Sequence, residues 1–162
     1  MDLAGAADAT LDPTDALHLR AAIGLSAEAR DAGNMPYGAL LVAADGRVLG
    51  FARNTQVTEH DCTGHAETNL MRDVTRRLDA ATLAGSTVYA SGEPCAMCAG
   101  AMYWGGIRRV VYALSIASMR ELGGPGSDEL LLPCREVMAR GMRPVEVIGP
   151  ALQEEARRVF PA

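Results

Sequence analysis

His65-Ala66-Glu67 and, farther along the chain, Pro94-Cys95-Ala96-Met97-Cys98 decide how the rest of this sequence is read. Together they offer three soft donors, His65, Cys95 and Cys98, and one carboxylate, Glu67, that is not needed as a ligand. Three protein ligands with a fourth position left for water is the donor set of a catalytic zinc ion, whereas a structural zinc site closes on four. Cys95 and Cys98 lie at i and i+3, so both sulfurs can face one side of a helix's first turn. The partial positive charge of a helix N-terminus favours thiolates there. Two thiolates and a neutral imidazole neutralise Zn2+, and zinc can bring the pKa of a coordinated water down to about 7. Glu67 then has the position of a general base that later acts as an acid. His65 and Glu67, at i and i+2, do not share a helix face, so this motif is expected at a helix entrance, reached through the Cys62-Thr63-Gly64 turn.

Either half alone is weak. A single C-x-x-C is shared by redox pairs and structural zinc sites. A thioredoxin-like pair has no need of His65 and Glu67. A structural zinc site wants a fourth ligand, and the nearby His60 and Cys62 lack the spacing. Each half supplies what the other lacks, and the pair favours catalytic zinc. Cys62 and Cys134 have no partner pattern and read as structural or incidental.

Outward from the motifs, the pattern alternates between strands and helices. Thr14 to Ala32 reads as an amphipathic helix, with Leu17, Ala21, Leu25 and Ala29 on its apolar stripe and Gly33-Asn34 as its stop. Ala39 to Ala44 and Arg47 to Ala52 are short apolar runs around Asp45-Gly46, a hairpin signal. A polar loop from Asn54 to Gly64 leads into a helix from His65 to about Leu78. Thr87 to Ala90 reads as a buried strand and Cys95 to Trp104 as a helix with Pro94 at its start. Arg108 to Ala113 is a strand, Ser115 to Leu122 a short helix and Cys134 to Arg140 another. Val145 to Ile148 and Ala151 to Val159 supply a last strand and helix. This order predicts one α/β domain over residues 1–162, a mixed sheet covered by helices on both faces. Residues 1–12, small and polar, are expected to fray.

Composition narrows the chemistry. The 162 residues are 49% hydrophobic and 22% charged, with no apolar run long enough to span a membrane. The acidic N-terminus does not resemble a signal peptide, so a cytoplasmic location is expected. All 15 basic residues are arginine, which excludes lysine Schiff-base and P-loop chemistry. A net charge of −5 and a pI near 5.2 disfavour tRNA or DNA as partner. Arg72, Arg76 and Arg77 stand among Asp73 and Asp79 and read as a solvated helix face. A small, largely uncharged molecule is the expected substrate.

With these residues in place, the chain resembles the cytidine and deoxycytidylate deaminase superfamily, and within it the branch of guanine deaminases and tRNA-specific adenosine deaminases. The likeness runs from about Leu17 to Ala113 and includes Met35-Pro36-Tyr37-Gly38-Ala39, Asn54, and Thr63-Gly64-His65-Ala66-Glu67. It includes the run from Glu93 to Ala101 as well. The resemblance implies a three-layer α/β/α sandwich around a five-stranded mixed sheet, with zinc held by His65, Cys95 and Cys98. It implies hydrolytic removal of an exocyclic amine from a nucleobase or nucleoside, Glu67 moving the protons, with Asn54 and Ala66 binding the base. A homodimer is expected on the same ground. Met102-Tyr103-Trp104-Gly105 is similar to the guanine-deaminase version, so Tyr103 and Trp104 are expected to wall the pocket and guanine is the first substrate to try. Guanine deaminases often carry an aspartate soon after the fourth strand, and Ser115-Ile116-Ala117-Ser118 has none. Glu121, Asp128 and Glu129 are the carboxylates left for that role; cytosine-like, triazine and pterin rings and the tRNA wobble adenosine stay open as alternatives. So does a zinc module without catalysis. Phe160 and Pro161-Ala162 either fray or cover an active site.

Overall fold

A computed structural model describes residues 7–161. In chain order the elements are α1 (Pro13–Asp31), β1 (Gly38–Val42), β2 (Val48–Arg53), α2 (Ala66–Arg77), α3 (Ala80–Ala84) and β3 (Thr87–Gly92). There follow α4 (Ala96–Trp104), β4 (Arg109–Leu114), α5 (Ile116–Gly123), α6 (Cys134–Ala139), β5 (Glu146–Ile148) and α7 (Gln153–Arg157). The strands form a five-stranded mixed sheet in the order β2-β1-β3-β4-β5. β1 pairs antiparallel with β2 and β3, while β3–β4 and β4–β5 are parallel. The parallel pairs follow from their connections: each crosses the sheet face through helices, as parallel pairing requires.

Both sheet faces are buried, and neighbouring residues on one strand feed opposite layers. Leu41, Val88 and Val110 join α2, α4 and α6 through Leu70, Val74, Met102 and Met138. Leu40, Tyr89 and Val111 face the other way, towards Leu19, Ala22 and Ile23 of α1 and Met119 of α5. A strand buried on both faces has no polar alternation, which is why these runs read as continuously apolar. The hairpin turns where Asp45-Gly46 predicts it, with Gly46 at φ +86. α1 lies so close on β1 that a Cβ at Gly38 would sit 2.4 Å from Leu25 Cβ and 2.7 Å from Ala22 O. Glycine is required at that contact.

Two expectations are corrected. The buried stripe of α1 is Asp15, His18, Leu19, Ala22, Ile23, Ser26 and Ala29, whereas Leu17 is 65% exposed. Three polar residues go inside: Ser26 donates back to Ile23 O at 2.7 Å, and Asp15 and His18 meet partners from farther along the chain. Asp15 accepts a bidentate pair of hydrogen bonds from Arg109 at 2.7 and 2.8 Å and a third from the Tyr89 hydroxyl at 2.7 Å. The His18 ring packs on Tyr89 with centroids 5.2 Å apart. Arg109 also reaches Glu146, so one guanidinium ties α1, β4 and β5 together. The second correction concerns the N-terminus: Ala9 donates to the Pro150 carbonyl at 2.7 Å, Ala9 and Leu11 pack on the core, and Asp12 caps α1. These residues are docked rather than frayed; residues 1–6 of that expectation lie outside those described. At the other end, where fraying and covering an active site both stood open, Phe160 packs edge-on against Tyr37, centroids 5.7 Å apart, and Ala162 lies outside the described residues. Among the described residues no helix is long and apolar enough to cross a membrane.

Candidate metal centre and active site

β3 and β4 run parallel, and the chain leaves both at the same sheet edge. In open α/β sheets ligands collect in the crevice outside these carboxyl ends. Here β3 ends at Gly92 and passes through Glu93-Pro94 to Cys95, the residue capping α4, whose backbone is extended at φ −65, ψ 171. Cys98 is the third residue of that helix. Pro94 therefore precedes the cap rather than opening the helix. From the other side His65 caps α2 with φ −71, ψ 146, and Glu67 is its second residue. A residue at the cap projects differently from one inside the helix, and this lets His65 and Glu67 point to one centre despite their i, i+2 spacing.

The Nδ1 or Nε2 of His65 and the sulfurs of Cys95 and Cys98 lie within 4.8 Å of one another, the one such cluster among the described residues. Cys95 Sγ is 3.5 Å from His65 Nδ1, so Nδ1 faces the cluster. Behind it, Thr68 Oγ1 touches Cys98 Sγ at 3.3 Å, and Cys98 Sγ donates to Glu67 Oε2 at 3.5 Å. The charges respond to this crowding. A hydrogen bond from Cys98, with a further one from His65, holds the Cys95 thiol down to about 4. The same bond, joined by burial, pushes Cys98 up. Contact with Cys95 raises His65. The cluster thus gathers a thiolate, a thiol and an imidazole ready to exchange protons for a cation. Two sulfurs, one nitrogen and a nearby carboxylate that remains unligated fit a tetrahedral zinc ion with an open position. Glu67 is 5% exposed, and burial pushes its carboxyl up.

A cavity of about 460 Å³ opens over this centre. His65, Glu67 and Cys95 line its floor together with Asn54 and Glu93, and Tyr37 walls one side. Asp128 and Glu129 stand at its mouth with the apolar rim of Met35, Met97 and Leu130. No arginine lines the cavity. Asn54 is buried, and its amide is braced by Gln56: Oδ1 accepts from Gln56 N at 3.0 Å and Nδ2 donates to Gln56 Oε1 at 2.7 Å. One amide proton and one lone pair remain for a ligand.

Several expected residues fall elsewhere. Tyr103 and Trp104 do not line the cavity. Tyr103 packs over Arg143, 4.2 Å from guanidinium to ring, and its hydroxyl accepts from Arg143 N, while Trp104 is 86% exposed. The reason is the roll of α4: Cys98 and Met102 face inward, which carries Tyr103 and Trp104 to other sides. The Ala66 side chain is fully buried in the core and is absent from the lining. Of the three spare carboxylates, Glu121 is occupied by Arg157, whereas Asp128 and Glu129 reach the cavity. Cys62, read as incidental, lines the cavity too, and Cys134 is buried beneath Glu93. Sequence reasoning missed Tyr37, Gln56 and Glu93 as site residues. Glu93 carried a signal, since it directly precedes Pro94-Cys95.

Comparison with known proteins agrees with this centre. Residues 13–114 match the model of the cytidine and deoxycytidylate deaminase zinc-binding region, and the chain belongs to that family of hydrolytic deaminases acting on nucleobases or nucleosides. A probable cytosine deaminase from Schizosaccharomyces pombe is 38% identical over 149 residues, covering 90% of each chain. The guanine deaminase of Bacillus subtilis is 37% identical over 106 residues, 65% of this chain and 67% of that one. Among solved structures, a guanine deaminase from Nitrosomonas europaea shares the fold with a TM-score of 0.74, at 22% identity over 93% of this chain and 84% of that one. The family's metal is zinc, and His65, Cys95 and Cys98 are the residues to hold it.

Proposed function

We propose that this deaminase acts on a free nucleobase, releasing ammonia and leaving a carbonyl on the ring, with guanine the first substrate and cytosine the second. The observation that carries this reading is the acidic lining of the cavity: Glu67, Glu93, Asp128 and Glu129 line it and no arginine does. Two thiolates and an imidazole leave a zinc dication neutral, so no positive charge remains for a phosphate. That supports a base over a nucleotide or tRNA, since phosphate recognition rests on arginine, lysine or helix N-termini. Guanine presents two ring N–H donors besides the departing amine and cytosine presents one, so an acceptor-rich mouth favours guanine. The cytosine reading is favoured by the end-to-end likeness to the fission-yeast protein.

Bound at its three ligands, zinc supplies a Lewis acid that makes a water nucleophilic near neutral pH. Glu67 would take one proton from the attacking water and pass it to the ring nitrogen, then take the second from the same oxygen as it becomes the carbonyl and pass it to the leaving amine. Its raised pKa suits a group that must hold a proton between the two transfers. Asn54 offers one donor and one acceptor to fix the ring's orientation. Tyr37, held by Phe160 behind it, gives the ring a flat wall. Asp128 and Glu129 accept from ring N–H groups. The working unit is a homodimer, for which sedimentation should give twice the 17.0 kDa of the chain.

Ammonia release from guanine, cytosine, adenine, guanosine and amino-triazines tests the proposal. Turnover of guanine or cytosine well above guanosine supports it. Activity confined to an arginine-tRNA anticodon stem, or none on any of these, overturns it.

A further inference from the structure

We propose that Glu93 is a positioning residue that sets substrate affinity by holding Asp128 and Glu129 at the cavity mouth. This rests on the reading that those two carboxylates bind the base. The Glu93 side chain is 7% exposed and stands between the zinc-ligand turn and the segment that follows α5. Its Oε2 accepts from the backbone N–H of Ile116, the first residue of α5, at 3.0 Å. Its Oε1 accepts from the backbone N–H of Cys134, the first residue of α6, also at 3.0 Å. Its own N–H donates to Leu114 O at 2.7 Å. One carboxylate therefore pins both ends of the stretch from α5 to α6.

Between those two pins, residues 124–133 form no helix or strand. Gly124 at φ +69 and Gly126 at φ +95 bend the segment, and Ser127 N closes on Gly124 O at 3.2 Å. Immediately after this turn come Asp128 and Glu129, both facing the cavity, and Leu130 on its rim. Glu129 has one described bond of its own, from Ser127 Oγ at 3.3 Å, which is local to the segment. Nothing in a three-residue bond fixes a carboxylate relative to the metal ligands. Glu93 does, because it lies two residues before Cys95 and is bonded to the first residue of α5, the helix that leads into the segment, and to the first residue of α6, which follows it. Both oxygens accept from amide N–H groups, so only a carboxylate fits: a glutamine would direct an N–H at a backbone N–H.

Glu93→Gln, read as a double-mutant cycle against Asp128→Asn/Glu129→Gln, tests this on the base that wild type deaminates best. The expected result is a KM raised on the order of tenfold, the loss of a charged hydrogen bond, with kcat within about threefold and one zinc per chain. In the Asp128→Asn/Glu129→Gln background the same substitution should leave KM unchanged, because its effect passes through those groups. Cys134→Pro is the second variant: it deletes one of the two donors, and proline is tolerated at a helix's first position. It should give the same KM increase in smaller measure, even if Glu93→Gln does not fold. Additive effects, or a fall in kcat with KM unchanged, would overturn the inference. If Asp128→Asn/Glu129→Gln alone leaves KM unaltered, the underlying reading of the carboxylates fails instead.

Discussion

At the scale of single residues, the proposed chemistry turns on one carboxylate. Glu67 is buried, touches Cys98 and does not belong to the metal-ligand cluster. Glu67→Gln preserves its shape and removes its capacity to carry a proton. Turnover should fall by on the order of 10²–10⁴-fold while zinc content, measured by atomic absorption, stays at one per chain. Loss of metal alongside activity would make Glu67 a ligand instead. Asn54→Ala should raise KM, as measured by initial rates, by roughly tenfold, since it removes one donor and one acceptor and leaves Gln56 N without its partner. The cluster of His65, Cys95 and Cys98 with Glu67 beside it was legible because side-chain types and spacing carry that chemistry directly, and Asn54, expected from the family resemblance, lines the same cavity. Tyr103 and Trp104 were not. Whether an aromatic near a helix end meets a pocket depends on how the helix is rolled, and that is decided by Cys98 and Met102 packing inward.

At the scale of elements, the bidentate Asp15–Arg109 pair fastens α1 to β4, and Arg109 passes the connection to Glu146 on β5. The Arg109 guanidinium, helped by the Tyr89 hydroxyl, holds the Asp15 carboxyl below its ordinary 3.8. A depressed carboxylate contributes stability that is complete above the unfolded-state value and is lost as pH falls through the folded-state value. Asp15→Asn should therefore cost about 2–4 kcal/mol at neutral pH, less than a fully enclosed pair because Arg109 is partly exposed. In urea titrations the gap from wild type should narrow below about pH 4, in the range where the wild-type carboxylate protonates. A gap that persists unchanged at acid pH would point to packing rather than charge. The pair also explains why the apolar stripe of α1 was misplaced in the sequence. Asp15 and His18 look like surface residues until Tyr89 and Arg109, far along the chain, are brought beside them. The Asp45-Gly46 hairpin, by contrast, was readable because its determinants are local. The five-residue α3, capped by Asp79, was too short to leave a periodicity.

At the scale of the molecule, two helix N-termini and two parallel strand ends converge on one centre, and metal ligands come from both helices. Zinc should therefore stabilise the fold as well as serve catalysis. Chelation should lower the thermal midpoint, and readdition of zinc should restore it, followed by circular dichroism. Because binding displaces protons from His65 and the cysteine pair, zinc retention after dialysis should be lower at about pH 5 than at about pH 7.5. The mixed sheet and both helical layers followed from the sequence's alternation of elements, whereas the strand order β2-β1-β3-β4-β5 was set by pairings that no local pattern encodes. The cavity mouth did not, since Asp128 and Glu129 sit in an aperiodic segment between α5 and α6, whose first residues Ile116 and Cys134 both donate to Glu93. On the proposed function, that acidic mouth over the zinc site selects a bare ring. The most direct measurement is kcat/KM for guanine and cytosine beside guanosine and cytidine 5′-monophosphates. A free base should be preferred at least about tenfold over its monophosphate, like charges at the mouth costing on the order of a kcal/mol or more. Equal or better turnover of a monophosphate would contradict it.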